Sequence, residues 1–265
     1  MSRGFVIVAE STPKTNYLSC AEALAFSLKQ VMPSCSVTVL TNDSTDCPYF
    51  DNVIGVTPQF VTVDPYKISN DIQAYTLSPY EYTIKLEADI FVPRSIEHWW
   101  DVLCNRDVVV SSTIRNFKGE ISDCRVYRKF IDDNMLPDVY NAITYFRKSE
   151  IAGEFFEVVK NVLENWSAYK CELKCNTQEE PSTDWAYAIA CHIIGVEKTT
   201  LPGFTEMSMT HMKQFVNGLP SENWTDVLVH EFVRGAFRVN TFTQSYPFHY
   251  HHKPFSAKIQ ERMYV

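Results

Sequence analysis

The sequence predicts an α/β protein, a parallel Rossmann-like sheet flanked by helices, and three observations carry that prediction. Short apolar runs rich in β-branched residues, Gly4 to Ala9, Ser36 to Leu40 and Asn52 to Val56, recur at crossover spacing. Between the first two lies Tyr17 to Val31, whose Leu18, Ala21, Leu24, Ala25 and Leu28 share one helical face before Pro33 stops the helix. Polar residues stand just past the apolar runs, at Glu10, Asn42 and Glu87, where parallel sheets gather their ligands.

The remaining elements follow in order. Ile68 to Leu77 reads as a helix packed ahead of the strand Tyr82 to Pro93, and Ser95 to Cys104 as a helix after it. Asp107 to Thr113 is a strand of nearly continuous Val and Ser. Asp138 to Phe146 is a strand interrupted by Asn141, and Glu150 to Asn165 is a strongly amphipathic helix. Ser182 to Ile194 is helical, opened by a Ser182-Thr183-Asp184 cap signal after Pro181. From Glu197 onward the pattern is short strands and loops crowded with aromatic, His and Pro residues. With 265 residues, 45% of them hydrophobic, the chain can bury one large core, so residues 1–265 are expected to form a single unit.

The formal net charge of −8 argues against a protein that holds nucleic acid by bulk electrostatics. A local basic and aromatic stretch, Arg115, Phe117, Lys118, Arg125, Tyr127, Arg128, Lys129 and Phe130, reads either as a phosphate-meeting surface or as a solvated face. No apolar run reaches the roughly 20 residues of a spanning helix, and Gly4 to Ala9 is too short for a leader. A soluble, cytoplasmic protein without membrane contact or an implied protein partner is expected. The eight cysteines are then expected as free thiols, although Cys171 and Cys175 have the spacing of half a zinc site.

The strongest chemical signal is Tyr82-Thr83-Ile84-Lys85-Leu86-Glu87-Ala88-Asp89-Ile90-Phe91-Val92-Pro93. Two carboxylates at the end of a buried strand are costly unless they are exposed or hold a cation. Oxygen ligands of this kind suit Mn²⁺ or Mg²⁺, which in turn suit the phosphates of a nucleotide. The competing reading of Glu87 and Asp89 is a strand-end turn or a cap for the helix after it.

The order of landmarks resembles the metal-dependent glycosyltransferases of the GT-A fold, glycogenin-like and galactosyltransferase-like. Phe5-Val6-Ile7-Val8-Ala9 matches the first strand, and Tyr82 to Pro93 stands in place of the aspartate-x-aspartate strand. Asn141-Ala142-Ile143-Thr144-Tyr145-Phe146 is similar to the asparagine-alanine-glycine strand, and His249-Tyr250-His251-His252-Lys253-Pro254-Phe255 to the late histidine segment. Glu87 replaces the first aspartate and Ile143 the usual glycine.

The resemblance implies a mixed sheet with a C-terminal acceptor-side lobe, residues 1–110 binding a nucleotide-sugar and residues 111–265 the acceptor. It implies a nucleoside-diphosphate sugar donor, a UDP-sugar first among them, and Mn²⁺ or Mg²⁺ held by Glu87, Asp89 and a histidine, His249 ahead of His251. Ala9, Glu10 and Thr12 would border base and ribose, and Lys253 would meet the diphosphate. Lys85 either touches the donor or forms a plain salt bridge. Asn141 either binds a sugar hydroxyl or is satisfied by backbone. Asp184, like Asp89, is a catalytic candidate, acting as a base in an inverting reaction or orienting the sugar in a retaining one, against the alternative of a first-turn helix acid. His211 and His230 are further pocket candidates. Compact chains of this resemblance also occur in bacteriophages, with hydroxymethylated pyrimidines in DNA as acceptors and the host cytoplasm as the location. Glycan or small-molecule acceptors, or a non-catalytic nucleotide-sugar-binding relative, are the alternatives.

Overall fold

In the computed structural model, residues 2–57, 69–123, 128–174 and 179–262 are described. Six strands form the central sheet: β1 (Arg3–Ala9), β2 (Val37–Thr41), β3 (Asn52–Gly55), β4 (Tyr82–Glu87), then, further along, Val108–Ser111 and Tyr140–Arg147. A two-residue strand β5 (Ile90–Phe91) intervenes in the chain, so Val108–Ser111 is β6, Thr113–Arg115 is β7 and Tyr140–Arg147 is β8. The order across the sheet is β3-β2-β1-β4-β8-β6. β1 runs parallel to β2 and β4, and β2 to β3, as the sequence leads one to expect. β8 inserts antiparallel between β4 and β6, so the sheet is mixed rather than parallel throughout.

Alternation along β1 divides the interior. Phe5, Ile7 and Ala9 face one way, onto helix α1 (Tyr17–Val31). Val6 and Val8 face the other. α1 begins where the Asn16 side chain accepts the Ser19 N–H at 2.9 Å. Two short helices, α2 (Gln73–Leu77) and α3 (Trp99–Leu103), flank β4 in sequence, followed by α4 (Lys129–Asp133). On the Val6 face lie α5 (Glu150–Glu164), whose Phe155, Phe156 and Val159 are buried, and α7 (Thr183–Ile194), linked by α6 (Trp166–Glu172). Gly4 is required because the Tyr80 ring packs directly over its Cα.

The C-terminal part builds two smaller sheets. α8 (Val196–Thr199), β9 (Ser208–His211) and α9 (Gln214–Asn217) precede a three-stranded antiparallel unit, β10 (His230–Val233), β11 (Ala236–Val239) and β12 (Phe242–Thr243). β13 (Phe248–His249) and α10 (Phe255–Gln260) follow. β13 pairs antiparallel with β5 and parallel with β9, and β9 pairs with β7, giving the order β5-β13-β9-β7. An aromatic cluster of Phe91, Trp224, Phe237, Phe248, Tyr250 and Phe255 holds this region together.

Several sequence-based boundaries shift. Within the expected helix Ile68 to Leu77, Ile68 lies outside the described residues, Ser69–Ile72 is a 3₁₀ turn and only Gln73–Leu77 is α-helical. The expected helix from Ser95 is helical only over Trp99–Leu103, because Trp99 and Trp100 bond back three residues to Ile96 and Glu97 in a tight turn. The strand Asp107 to Thr113 divides where its register slips at Ser111, and Thr113 begins β7 in the second sheet. Ser182 caps α7 through its backbone carbonyl, which accepts from Trp185 and Ala186, and not through its hydroxyl.

Candidate functional site

The acidic motif lies where the chain leaves the central sheet. β4 ends at Glu87, the chain turns at Ala88 and Asp89, and β5 starts the second sheet. There β13 is paired to β5, with His249 opposite Ile90, so His249 is delivered beside both acids. Its Nε2 lies 3.1 Å from Asp89 Oδ2 and 3.2 Å from Glu87 Oε2. The Lys253 ammonium donates to the same Asp89 oxygen. Donor atoms of Glu87, Asp89 and His249 all lie within 4.8 Å of one another, an arrangement fit to hold a divalent ion with two carboxylates and one imidazole.

Burial would raise the Asp89 carboxyl, but the neighbouring His249 and Lys253 outweigh it and hold the group well below the ordinary carboxylate range. Glu87 moves the opposite way. Burial, helped by Asp89 and Asp71, pushes its carboxyl up against the opposing pull of His249 and Lys85. Burial alone would depress the Lys253 ammonium, yet Asp89 raises it on balance. His211 and His251 are held well below the usual imidazole value, chiefly by burial and next by His249. Both are therefore neutral at pH 7, with lone pairs available.

A second group of polar side chains sits beside the first. Lys85, fully buried, points to the same side of β4 as Glu87 and forms an ion pair with buried Asp71. It also donates to the Asn141 carbonyl at 3.0 Å, and the Asn141 amide donates to Asp71 at 3.2 Å. Asp184, in the first turn of α7, accepts the Asn141 backbone N–H at 2.9 Å on one oxygen and Arg128 Nη1 at 3.0 Å on the other. Arg128 also donates to Asp138 at 2.7 Å and lies over the Tyr140 ring at 4.3 Å.

These groups border one cleft of about 410 Å³, lined by Glu87, Asp89, Asp71, Asn141, Asp184, His211, His249, His251 and Lys253 among others. The structure thus assembles Glu87, Asp89, Asn141, Asp184, His211, His249, His251 and Lys253 from the sequence candidates. Lys85 lies beneath the cleft in its salt bridge. Ala9, Glu10 and Thr12 are at the end of β1 beside the Ser11–Asn42 hydrogen bonds and are not among the lining residues. His230 accompanies Trp224 and Phe255 in the aromatic cluster, away from the cleft.

Asp71 lines the cleft and Arg128 holds Asp184 there; no motif announced either placement, although Arg128 belongs to the basic stretch. Asp71 falls within the expected helix Ile68 to Leu77, among polar Ser69, Asn70 and Gln73, so nothing local marks it. Part of the basic stretch is engaged within the protein. Arg115 is buried over Tyr246 and donates to Ser208 Oγ and two carbonyls, while Lys129 pairs with Asp133. Phe130 stacks on Trp185 at 3.8 Å. Arg125 and Tyr127 lie outside the described residues, as does Cys175 of the cysteine pair. Among the described residues, no helix is long and apolar enough to cross a membrane.

No protein-family model matches the sequence, and no curated protein matches it. Solved structures do. A crystal structure of the galactosyltransferase LgtC with donor and acceptor sugar analogues superposes with a TM-score of 0.50, at 13% identity over 70% of each chain. The apo structure of the bifunctional glycosyltransferase WbbM gives a TM-score of 0.50 at 15% identity, over 82% of this chain and 41% of that one. The chain has the GT-A glycosyltransferase fold. In this GT-A chain the acidic turn after β4, the histidine strand β13 and the N-terminus of α7 meet at one cleft.

Proposed function

We propose that the protein is a divalent-metal-dependent glycosyltransferase that moves a sugar from a nucleoside-diphosphate sugar, a UDP-sugar first among them, to a hydroxyl acceptor. The observation that carries this reading is the convergence of Glu87, Asp89 and His249 within 4.8 Å at the cleft, with Lys253 alongside. These residues would hold the ion, and Mn²⁺ or Mg²⁺ bound there supplies positive charge for the departing diphosphate.

The chain's own residues divide the remaining work. Lys253 is the cation nearest the acids, and an arriving diphosphate competes with Asp89 for its ammonium. Asp184 has each oxygen already engaged, by an arginine and by a backbone N–H. A carboxylate fixed in this way keeps further lone pairs for sugar hydroxyls and is better suited to orienting the sugar than to removing a proton. Asn141 borders the same space. The donor then draws on residues 1–110 for the acidic motif and on residues 111–265 for His249, Lys253 and Asp184.

A glycan or small-molecule hydroxyl is the acceptor we favour. Arg115 and Arg128, two of the basic residues in the Arg115 to Phe130 stretch that is compatible with DNA and hence with a hydroxymethylated pyrimidine, are consumed by internal contacts. The test is the melting midpoint of the protein against nucleoside diphosphates, each with Mn²⁺ or with chelator, followed by assay of free sugar release from the matching donor. A ligand of the folded state raises the midpoint by mass action. A shift with one diphosphate that chelator removes, together with sugar release, is the expected result. A shift without sugar release identifies a binding protein, and no shift with any nucleotide sinks the proposal.

A further inference from the structure

His249 belongs to two clusters. Besides the carboxylates, it shares with His211 and His251 a set of ring nitrogens that also lie within 4.8 Å of one another. The backbone explains why. β9 and β13 are parallel neighbours with His211 directly opposite His249, and opposed residues project to the same face. His251, two residues beyond His249, returns to that face through a tight turn in which its φ is +54° and the His252 N–H reaches the Tyr250 carbonyl at 2.5 Å. A non-glycine residue with such a φ is uncommon, and backbone strain of this kind is concentrated at functional sites.

The rings are close. His249 and His251 centroids are 3.9 Å apart, His211 and His251 4.5 Å, and His211 and His249 5.2 Å. One contact between ring nitrogens, His251 Nε2 to His211 Nδ1, measures 3.3 Å. His249 is 5% exposed, and its Nδ1 has no hydrogen-bond partner among the described residues. A buried polar atom left without a partner calls for a physical account, and an ion among the rings supplies one.

We propose that His211, His249 and His251 form a three-imidazole position for a borderline transition ion of the Zn²⁺ or Co²⁺ class, an alternative to the carboxylate-rich position for Mn²⁺ or Mg²⁺. Imidazole donors favour Zn²⁺ and Co²⁺, whereas carboxylates suit Mg²⁺ and Mn²⁺. Three histidines with one open position are a known zinc coordination chemistry. Because the two positions share His249, they are alternatives for a single ion. Zn²⁺ in the imidazole position removes His249 from the carboxylate set and displaces Mn²⁺. This site stands on its own geometry and does not require the transferase reading.

The experiment uses Co²⁺ as the probe, on the full chain without nucleotide. Three nitrogen ligands at low coordination number give intense visible absorption, and a carboxylate-rich octahedral site gives weak bands. The intense spectrum is expected for the parent. His211→Gln and His251→Gln are each expected to weaken Co²⁺ binding by more than the roughly 10- to 100-fold typical of losing a supporting partner. Glu87→Gln is expected to weaken it far less. Mn²⁺ binding, followed separately by electron paramagnetic resonance, should show the reverse ranking and be displaced by Zn²⁺. Weak octahedral bands in the parent, no Co²⁺ binding, or equal losses in Glu87→Gln and the histidine variants would each overturn the proposal. The parent spectrum decides even if a variant fails to fold. Absence of Mn²⁺ binding alongside an intense Co²⁺ spectrum would sink the transferase reading and leave this one standing.

Discussion

Tyr250 donates its backbone N–H to the carbonyl of Asp89 at 3.1 Å, which locks the histidine strand to the acidic turn. The residue before it, His249, thereby meets the Asp89 carboxylate, and Lys253 follows on the same side. The proposed metal position is thus a product of strand pairing between segments 160 residues apart.

Glu87 and Asp89 should respond to pH in opposite senses. A carboxyl raised in the folded state binds protons more readily folded than unfolded, so its ionisation costs stability at neutral pH and the cost fades as pH falls through the raised value. Glu87→Gln is expected to raise the metal-free melting midpoint at pH 7, by about 2–4 °C per kcal/mol gained in a chain near this size, and by less at pH 5. It should weaken Mn²⁺ binding at the same time. Asp89 is depressed, so its contribution is present above the unfolded carboxyl value and lost as pH falls through the folded one. Asp89→Asn should therefore lower the midpoint at pH 7, with the deficit shrinking in acid. A lower midpoint for Glu87→Gln at pH 7 would contradict the assignment.

Lys85→Met strips Asp71 of its buried partner. Breaking such a pair on one side costs about 3–5 kcal/mol, read as a fall in the urea midpoint at unchanged slope. Adding Asp71→Asn should recover part of that loss, since it removes the stranded charge. A single variant as stable as the parent would show that the pair does not hold β4 to the Asn141 strand.

Arg128→Ala removes one of the two donors that fix Asp184 and should loosen the carboxylate that the proposal turns toward the sugar. The intact donor is expected to bind about tenfold more weakly, equivalent to ~1.4 kcal/mol, while the nucleoside diphosphate alone binds as before. Calorimetric titration with both ligands separates the two. Equal weakening of both would place Arg128 at the diphosphate instead.

Lys253→Met removes the cation beside Asp89. Binding of the nucleoside diphosphate should fall by about tenfold, binding of the free nucleoside should not change, and the salt dependence of diphosphate binding should flatten. Retained salt dependence would point to another cation.

Much of this was legible without coordinates, for physical reasons that differ by residue. β1, α1 and the start of β4 could be read because burial on known faces imposes a period of 2 or 3.6 on local sequence, whereas the expected strand Tyr82 to Pro93 ends at Glu87 and resumes as β5 beyond the acidic turn. Glu87 and Asp89 stood out because an acid at the end of an apolar strand demands a partner. The short helix α3 and the break between β6 and β7 were not legible, since a 3₁₀ turn and a register slip leave no period behind.

The α/β class, the acidic turn and the histidine segment can be read along the chain, because each is written in neighbouring residues. That β8 runs antiparallel, that Asp71 neutralises Lys85 and that Arg128 fixes Asp184 emerge with folding. Folding also places His211 opposite His249. Those outcomes depend on which strands pair and which charges are buried together, and pairing between distant segments is set by the packing of the whole core, not by any local pattern.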